Sequence, residues 1–229
     1  MSIEQAFDSR YELKQSYSEL LLPEIHSWVC MHPAGFRTAY PSRQVNSIYF
    51  DTNGLDTFND HLAGVPVRRK LRYRWYGPNL GLAHAGQVEV KNKSERAGWK
   101  LTEKLSPDFD LAIHSWAVLS DAMRAASSGL IRELLSVSRP TLLVVYTRDY
   151  LVSANGRVRL TIDSNLRGYN QLFAARPNLG FCNPPNGQVI VELKGDVKYA
   201  GELADVLSHF PVRANRFSKY VDNLWQDLV

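Results

Sequence analysis

Apolar and charged residues alternate along the segment VRRKLRYRWY, which covers residues 67–76. The even positions hold four cations, Arg68, Lys70, Arg72 and Arg74. The odd positions are mostly apolar, with Leu71, Tyr73 and Trp75 at three of them. Because successive side chains of a β-strand point to opposite faces, this pattern predicts a strand with one cationic face and one apolar face.

Strand-like composition recurs in eight runs along the chain, separated by turn residues or by helical segments. The predicted strands are 10–15, 45–51, 67–76, 87–93, 99–105, 142–152, 157–163 and 188–194. The pair Asn155-Gly156 lies between the sixth and seventh runs and is typical of a tight hairpin turn. No internal repeat or long linker divides the series, so residues 1–229 are expected to form a single domain.

Helical periodicity appears in four regions, of which the last holds two segments. The predicted helices are 18–31, 111–126, 129–137, 200–210 and 218–228. Many antiparallel strands combined with separate helices predict an α+β domain, and a sheet of this size can close on itself.

The division into a charged and an apolar side recurs in most of the predicted strands. In a single strand, such alternation usually reflects water on one face and the core on the other. Here the polar side is almost entirely charged, and helices are available to cover the apolar side. We therefore expect a closed barrel of eight antiparallel strands, a tunnel with a basic interior that is covered by outer helices. A barrel of that size has room for side chains or for one small ligand.

The charged faces carry far more cations than acids. The twelve cations are Arg10, Lys14, Arg68, Lys70, Arg72, Arg74, Lys91, Lys93, Arg148, Arg157, Arg159 and Lys194, and the four acids are Glu12, Glu89, Asp163 and Glu192. Like charges about 7 Å apart repel by roughly 2 kcal/mol at an effective dielectric constant of about 20. The surplus predicts a polyanion such as a phosphate chain, which Arg binds in a bidentate manner and Lys binds as a point charge. Carboxylates among phosphates commonly hold Mg²⁺ or Mn²⁺.

The overall composition agrees with a globular protein that has an anionic partner. Among 229 residues, 45% are hydrophobic and 22% are charged, and the net charge is +4. The first ten residues lack the apolar run of a signal peptide, and no stretch approaches the ~18 apolar residues of a membrane span. Cys30 and Cys182 fit no metal or redox spacing. We expect a soluble, cytoplasmic protein without a membrane segment.

Eight motifs, taken in order, point to a known family. They are RYELK (10–14), SIYFDT (47–52), RRKLRYRWY (68–76), VEVKNK (88–93), YTRDYL (146–151), VRLTID (158–163), VIVELKGD (189–196) and RFSKYV (216–221). The set resembles the triphosphate tunnel metalloenzymes, also called CYTH-like proteins, and within them most closely the VTC domain of the polyphosphate polymerase branch. Each motif alone is weak, but the ordered set spans nearly the whole chain.

The resemblance implies a tunnel of eight antiparallel strands in which the γ-phosphoryl group of ATP passes to a polyphosphate chain. By motif, the catalytic residues would be Arg72, Arg74, Lys91, Lys104, Arg148 and Arg159. The phosphate-binding residues would be Lys14, Lys70, Lys194, Ser218 and Lys219. The ligand of a divalent metal ion, Mn²⁺ or Mg²⁺, would be Glu192, with Glu12 and Glu89 as second choices. The implied partners are ATP or another triphosphate and inorganic polyphosphate.

One position departs from the hydrolase branches of this superfamily. Those branches usually begin with two acids before the lysine, as Glu-x-Glu-x-Lys, whereas the first of these positions is Arg10 here. The loss of one metal-binding carboxylate favours the polymerase branch over the two-metal hydrolases.

Other functions stay open at this point. A hydrolase would use water as the acceptor in the same tunnel, and a non-catalytic module would bind polyphosphate without turnover. A nucleic-acid-binding barrel would place aromatic residues on the cationic face. Among Tyr73, Trp75 and Tyr76, only Tyr76 lies at an even position, on the cationic face. No nucleic acid is therefore expected, and the other two are assigned to the core.

Several candidate residues also have ordinary structural alternatives. Lys104, Ser218 and Lys219 could lie on the surface or at a helix start. Asp51 is expected to cap a turn, and Asp163 is expected to pair with a neighbouring arginine. The Glu-x-Lys pairs of the first and last strands could form salt bridges on a solvated face.

Overall fold

The computed structural model describes residues 4–7, 10–93, 98–185, 187–208, 219–220 and 224. The strands in these residues are β1 (Glu4–Phe7), β2 (Arg10–Ser18), β3 (Arg37–Asp51), β4 (Arg68–Tyr76), β5 (Leu82–Ala83), β6 (Gln87–Lys93), β7 (Trp99–Lys104), β8 (Phe109–Asp110), β9 (Arg139–Val152), β10 (Val158–Asn170) and β11 (Gln188–Asp196). All eight predicted strands are present. The sequence did not indicate β1 or the two-residue strands β5 and β8.

Five α-helices lie within the described ranges. They are α1 (Leu22–Met31), α2 (Asp56–Leu62), α3 (Trp116–Ala126), α4 (Gly129–Val137) and α5 (Ala200–Ser208). Helix α1 ends before Pro33, and its last flanking residue, His32, is extended, because the residue before a proline is disfavoured in helical geometry. None of the helices in the described part of the chain is long and apolar enough to span a bilayer.

The helices differ from the predictions in three places. The predicted helix 18–31 begins as an α-helix only at Leu22, after a 3₁₀ turn over Glu19–Leu21. The predicted helix 111–126 begins only at Trp116, where Ser115 accepts a hydrogen bond from the backbone of Val118 as its N-cap. Most of the predicted helix 218–228 lies outside the described residues. The third difference is the seven-residue helix α2, which was not predicted. Asp51 accepts hydrogen bonds from the backbone amides of Thr57 and Phe58 at the start of α2, each at 3.0 Å, so this carboxylate has the capping role expected of it.

The prediction of a closed barrel is wrong. Nine strands form one antiparallel sheet in the order β1-β7-β6-β4-β3-β9-β10-β11-β2, and its two edges, β1 and β2, are not paired with each other. Strand β1 pairs with β7 from Glu4↔Thr102 to Phe7↔Trp99. It therefore occupies the edge of β7 with which β2 would have to pair to close the barrel.

The sheet is nevertheless strongly curled into a half-barrel. Strands β6 and β2 are six places apart in the sheet, which would separate them by about 29 Å if the sheet were flat. Instead, Nζ of Lys91 on β6 lies 2.8 Å from Oε2 of Glu12 on β2. The charged faces of the two sides of the sheet thus meet across its concave face.

The convex face of the sheet is covered by helices, as the alternation predicted. One core lies beneath α3 and α4, where Tyr73 and Trp75 pack with Trp116, Met123 and Ile131. A second core lies beneath α1 and α5. Its members are Tyr17, Ile25, Val29, Val158, Leu160, Ile162, Val189, Val191, Leu193, Leu203 and Val206. Burial of these apolar side chains on the convex face leaves the charged side chains of the same strands on the concave face.

A third apolar cluster lies on the concave face itself, which the sequence pattern did not predict. Its residues are Val45, Tyr49, Phe58, Leu142, Val144, Tyr146, Leu166, Leu172, Ile190, Tyr220 and Leu224. The Tyr220 hydroxyl lies 2.6 Å from Asp51, and its ring stacks on Tyr49 with centroids 5.2 Å apart. This cluster forms a floor that confines the charged residues to the remainder of the concave face.

Candidate functional site

A cavity of about 360 Å³ occupies the concave face of the sheet. Its basic lining residues are Arg68, Arg72, Arg74, Arg148, Lys14, Lys70, Lys91, Lys93, Lys100, Lys194 and Lys219. The other lining residues are Glu12, Glu89, Glu192, Tyr49, Tyr146 and His61. Eleven basic side chains therefore face three carboxylates, which leaves the cavity with a large positive surplus.

Strands β2 and β11 build one wall as a checkerboard of charges. Their antiparallel register places Glu12 opposite Lys194 and Lys14 opposite Glu192, so the two acids lie on one diagonal. The Nζ of Lys194 is 2.7 Å from Glu192 and 3.9 Å from Glu12. Opposite charges that face each other across strands stabilise this register.

The carboxyl of Glu192 stays ionised despite its burial. Burial alone would raise its pKa, but Lys194 and the Arg148 guanidinium outweigh burial and hold the pKa well below its ordinary value. Glu12 and Glu192 both line the cavity, and Lys194 lies between them as a shared contact. Two carboxylates completed by water and phosphate oxygens are a suitable donor set for Mg²⁺ or Mn²⁺. No cluster of three or more His, Cys, Asp or Glu side chains occurs among the described residues.

Glu89 is anchored by cations on the opposite wall. Its oxygens lie 2.6 Å from Nε of Arg72, 2.9 Å from Nζ of Lys100 and 3.8 Å from Arg74, and Gln87 donates a further hydrogen bond at 2.8 Å. Burial opposes ionisation, yet Arg72, Arg74 and Lys100 hold the pKa of Glu89 far below its ordinary value. Glu89 thus contacts three cations and Gln87, whereas Glu12 contacts Lys91 and Lys194, and Glu192 contacts Lys194 and Arg148. We therefore expect Glu89 to fit a metal ion less well than Glu12 and Glu192.

Asp163 on β10 anchors two cations of the cavity, and its predicted pairing with an arginine is present. It is fully buried and accepts hydrogen bonds from Arg148 at 2.5 and 2.7 Å and from Lys219. Lys219 also lies over the Tyr146 ring, with Nζ 4.5 Å from the ring centroid. Asp163 therefore orients two cavity cations through ion pairs.

Burial and the surplus of positive charge shift several pKa values within the cavity. Burial and neighbouring cations lower the pKa of Lys14 and of Lys70 to about 8. Burial, together with Lys70 and Arg68, lowers the pKa of His61 to about 4. Burial alone would raise the pKa of Tyr49, but Arg72 and Arg74 lower it to about 8. Burial is the largest cause for Lys14, Lys70 and His61, whereas the lowered pKa of Tyr49 comes from the neighbouring arginines and shows that an anion is favoured at this position.

Most of the residues assigned from the sequence line this cavity. They are Arg72, Arg74, Lys91, Arg148, Lys14, Lys70, Lys194, Lys219, Glu192, Glu12 and Glu89. Lys104 and Arg159 do not line it. Both are exposed, Lys104 at the last position of β7 and Arg159 next to the first position of β10. Ser218 lies outside the described residues.

Six lining residues had no role in the assignment from sequence, namely Lys100, Tyr49, Tyr146, His61, Arg68 and Lys93. Of these, Arg68 and Lys93 had been counted among the cations of the charged faces. Lys100 shares one face of β7 with Thr102, and Tyr146 shares one face of β9 with Arg148. The alternation of faces along a strand could therefore have identified both. His61 belongs to α2, which the sequence pattern did not reveal.

Comparison with known proteins yields one family and several solved structures. A protein-family model described as the VTC domain matches residues 7–225. No curated protein sequence matches the chain. An adenylate cyclase candidate from Bacillus halodurans superimposes with a TM-score of 0.54 at 14% identity, covering 92% of this chain and 95% of that chain.

Two further structures share the fold. A protein from Pyrococcus horikoshii has a TM-score of 0.50 at 14% identity and covers 96% of this chain and 99% of its own. A Hippeastrum adenylyl cyclase candidate, described as having a dominant triphosphatase activity, has a TM-score of 0.50 at 17% identity and covers 96% of this chain and 93% of its own.

Proposed function

This chain belongs to the VTC domain family, and from that premise we propose that it is a metal-dependent phosphotransferase that moves the γ-phosphoryl group of ATP to a polyphosphate chain. The observation that carries the proposal is the set of eleven basic side chains around one cavity of about 360 Å³. A triphosphate supplies the compensating negative charge and fits a cavity of this size. Among the lining residues of the described cavity there is no Ser, Thr or Cys to act as a nucleophile, which suits direct phosphoryl transfer.

Phosphoryl transfer depends on positioning and on charge neutralisation, with little covalent work by the protein. In this proposal Arg72, Arg74 and Arg148 bind phosphate oxygens in a bidentate manner, and their carboxylate partners fix the guanidinium planes. Lys14, Lys70, Lys91, Lys194 and Lys219 supply point charge around the chain. Lys104 and Arg159, exposed at strand ends, would contact phosphates only where the polyphosphate chain extends beyond the cavity. Ser218 keeps its proposed role in binding phosphate.

Glu192 and Glu12 would hold a divalent metal ion in this proposal. A bound Mn²⁺ or Mg²⁺ supplies neutralisation of charge on the phosphate oxygens. The protein's own contribution is to keep Glu192 ionised through Lys194 and Arg148 and to keep the donor triphosphate in line with the acceptor. We also retain a cytoplasmic location as a prediction.

A triphosphate hydrolase is the second candidate, because a protein of the same fold from Hippeastrum is described as having a dominant triphosphatase activity. Against it stands Arg10, at the position where hydrolases of the superfamily usually carry a first acid. Arg10 pairs in register with Asp196, beyond the Glu12–Lys194 pair on the same wall.

The function is tested by incubating the protein with ATP and Mn²⁺, then sizing any phosphate polymer on a gel. We expect polymers that lengthen with time and disappear on digestion with an exopolyphosphatase. Release of orthophosphate without polymer would identify a hydrolase, and the absence of ATP turnover would identify a binding module.

The protein should take up protons when it binds ATP at alkaline pH. Lys14, Lys70 and Tyr49 have pKa values of about 8 in the free protein, and an adjacent polyanion raises all three values. At pH 8.5 we expect an uptake of roughly two protons per ATP, and near zero at pH 6.5, where all three groups are already protonated. Calorimetry without metal in buffers of different ionisation enthalpy measures this uptake.

A matched variant isolates the contribution of one lysine. Lys70→Arg keeps the positive charge but cannot titrate in this range, so uptake at pH 8.5 should fall by about one third. ATP binding without proton uptake in the parent protein would contradict the depressed lysine values.

A further inference from the structure

An arginine held between two tyrosine rings lies on the concave face outside the residues that line the cavity. The guanidinium carbon of Arg43 is 4.6 Å from the centroid of the Tyr76 ring and 4.9 Å from that of Tyr150. Tyr40 packs edge-on against Tyr150, with ring centroids 6.0 Å apart. We call these four residues the Arg43 platform.

The platform is continuous with the cavity. Arg43 pairs in register with Arg148, and Val45 pairs with both Tyr146 and Tyr76. Tyr150 follows Arg148 by two residues on the same face of β9, a separation of about 7 Å. The platform therefore lies next to Arg148 and Arg74 in the sheet, at one end of the cavity.

The platform exposes aromatic surface that the hydrophobic cores do not use. Tyr40 is 62% exposed and Tyr76 is 40% exposed, and none of its four residues belongs to the three apolar clusters. The backbone beside the platform is held in place by hydrogen bonds. Gln44 and Asn46 donate to the Gly77 carbonyl at 3.2 and 2.9 Å, and Gly77 donates to the Gln44 carbonyl at 3.0 Å. A rigid and exposed aromatic surface beside a phosphate-binding cavity needs no ordering before it binds a flat ring.

We propose that the Arg43 platform is the nucleobase subsite, on which the base of the donor nucleotide stacks while its triphosphate extends past Arg148 into the cavity. The inference rests on the proposed function. Aromatic rings and guanidinium planes stack on any base, whereas the negative faces of the rings repel a phosphate chain. The Arg43 guanidinium is already directed at these rings, so the platform suits the neutral end of a nucleotide and the cavity suits its anionic end.

The parity of Tyr76 gives this proposal a sequence basis. Tyr76 continues the inward column of Arg68, Lys70, Arg72 and Arg74, whereas Tyr73 and Trp75 are buried in the convex core. The cationic column of β4 thus ends in an aromatic residue at the platform, which places charge and stacking surface in line along one strand.

The test compares ATP with tripolyphosphate, which carries the phosphates without a base. Dissociation constants are measured by calorimetry without metal for the parent protein and for the variants Tyr76→Ala and Tyr150→Ala. We expect each variant to weaken ATP binding about tenfold and to leave tripolyphosphate binding unchanged. Tyr76→Phe and Tyr150→Phe retain the rings and should bind ATP like the parent protein.

A matched control is Tyr11→Ala, since Tyr11 is 49% exposed but lies on the other face of its strand from Glu12. It should alter neither affinity. Equal ATP affinity in parent and alanine variants, or an equal loss of ATP and tripolyphosphate binding, would overturn the subsite. If the parent protein bound neither ligand, the proposed function itself would fall, and the subsite with it.

Discussion

The variant Glu192→Gln should lose metal-dependent phosphoryl transfer, with kcat lowered by about 10³-fold or more. Neutralisation of phosphate charge by a metal ion is worth several kcal/mol in the transition state, and each 1.4 kcal/mol is a factor of ten in rate. Gln has the same shape as Glu but lacks the charge that a divalent ion requires. Its amide can still contact Lys194, which lies 2.7 Å from Glu192, so the wall formed by β2 and β11 should persist.

The measurement is a titration of ATP turnover with Mn²⁺, combined with circular dichroism to confirm folding. Glu103→Gln is the matched control, because Glu103 is an equally buried glutamate whose carboxylate accepts hydrogen bonds from Ser128 outside the cavity. Glu103→Gln should lower stability but keep the Mn²⁺ dependence. If Glu192→Gln kept the parent rate and the parent Mn²⁺ dependence, the assignment of Glu192 as metal ligand would be wrong.

The variant Asp163→Asn should lower the free energy of unfolding by about 3–5 kcal/mol, because it leaves Arg148 and Lys219 buried without their shared counter-charge. Both cations contact Asp163 directly, and the carboxylate is fully buried. Urea denaturation at pH 7 measures the loss. Asp121→Asn is the control, since the exposed pair of Asp121 with Arg124 contributes at most about 1 kcal/mol.

The same variant should also change how stability depends on pH. Burial alone would raise the pKa of Asp163, but Lys219 and Arg148 outweigh burial and hold the pKa below its ordinary value of 3.8. A carboxyl with a depressed folded-state pKa stabilises the protein fully above its unfolded-state pKa and loses this contribution as pH falls through the folded-state value. The stability difference between parent and Asp163→Asn should therefore be constant from pH 7 down to about pH 5 and shrink below about pH 4. A difference that did not change with pH would show that the ionised carboxylate is not the source of the stability.

The positions of the strands, and the face of the sheet on which each side chain lies, could be predicted from the sequence because both depend on a local period of two residues. The alternation in β4 correctly placed Tyr73 and Trp75 in the convex core and Arg72 and Arg74 on the opposite face. Strand ends were less accessible. β3 begins at Arg37 rather than at residue 45, and its exposed first half contains Pro41. In that half β3 pairs with β9 alone, since its pairing with β4 starts at Val45, and proline is tolerated at such an edge.

The sequence identified candidate functional residues where alternation along a strand or a family motif marked them. Lys100 was missed although it shares a face of β7 with Thr102, because polar and apolar residues alternate only weakly along β7. His61 was missed because α2 is a seven-residue helix stabilised by the distant carboxylate of Asp51, and no local periodicity signals it. Tyr150 and Arg43 came together only through pairing of strands that are far apart in sequence.

The sequence by itself determined which side of each strand is charged, which family the chain resembles and most of the residues that line the cavity, since these follow from short-range pattern and residue type. Only the tertiary structure decided that the sheet stays open, because β1 takes the free edge of β7. It also decided that Glu12 and Glu192 share Lys194 at one wall of the cavity, while Glu89 is bound by cations of the opposite wall. These outcomes depend on strand register and sheet curvature, which bring together side chains separated by up to 180 positions in the chain, from Glu12 to Glu192.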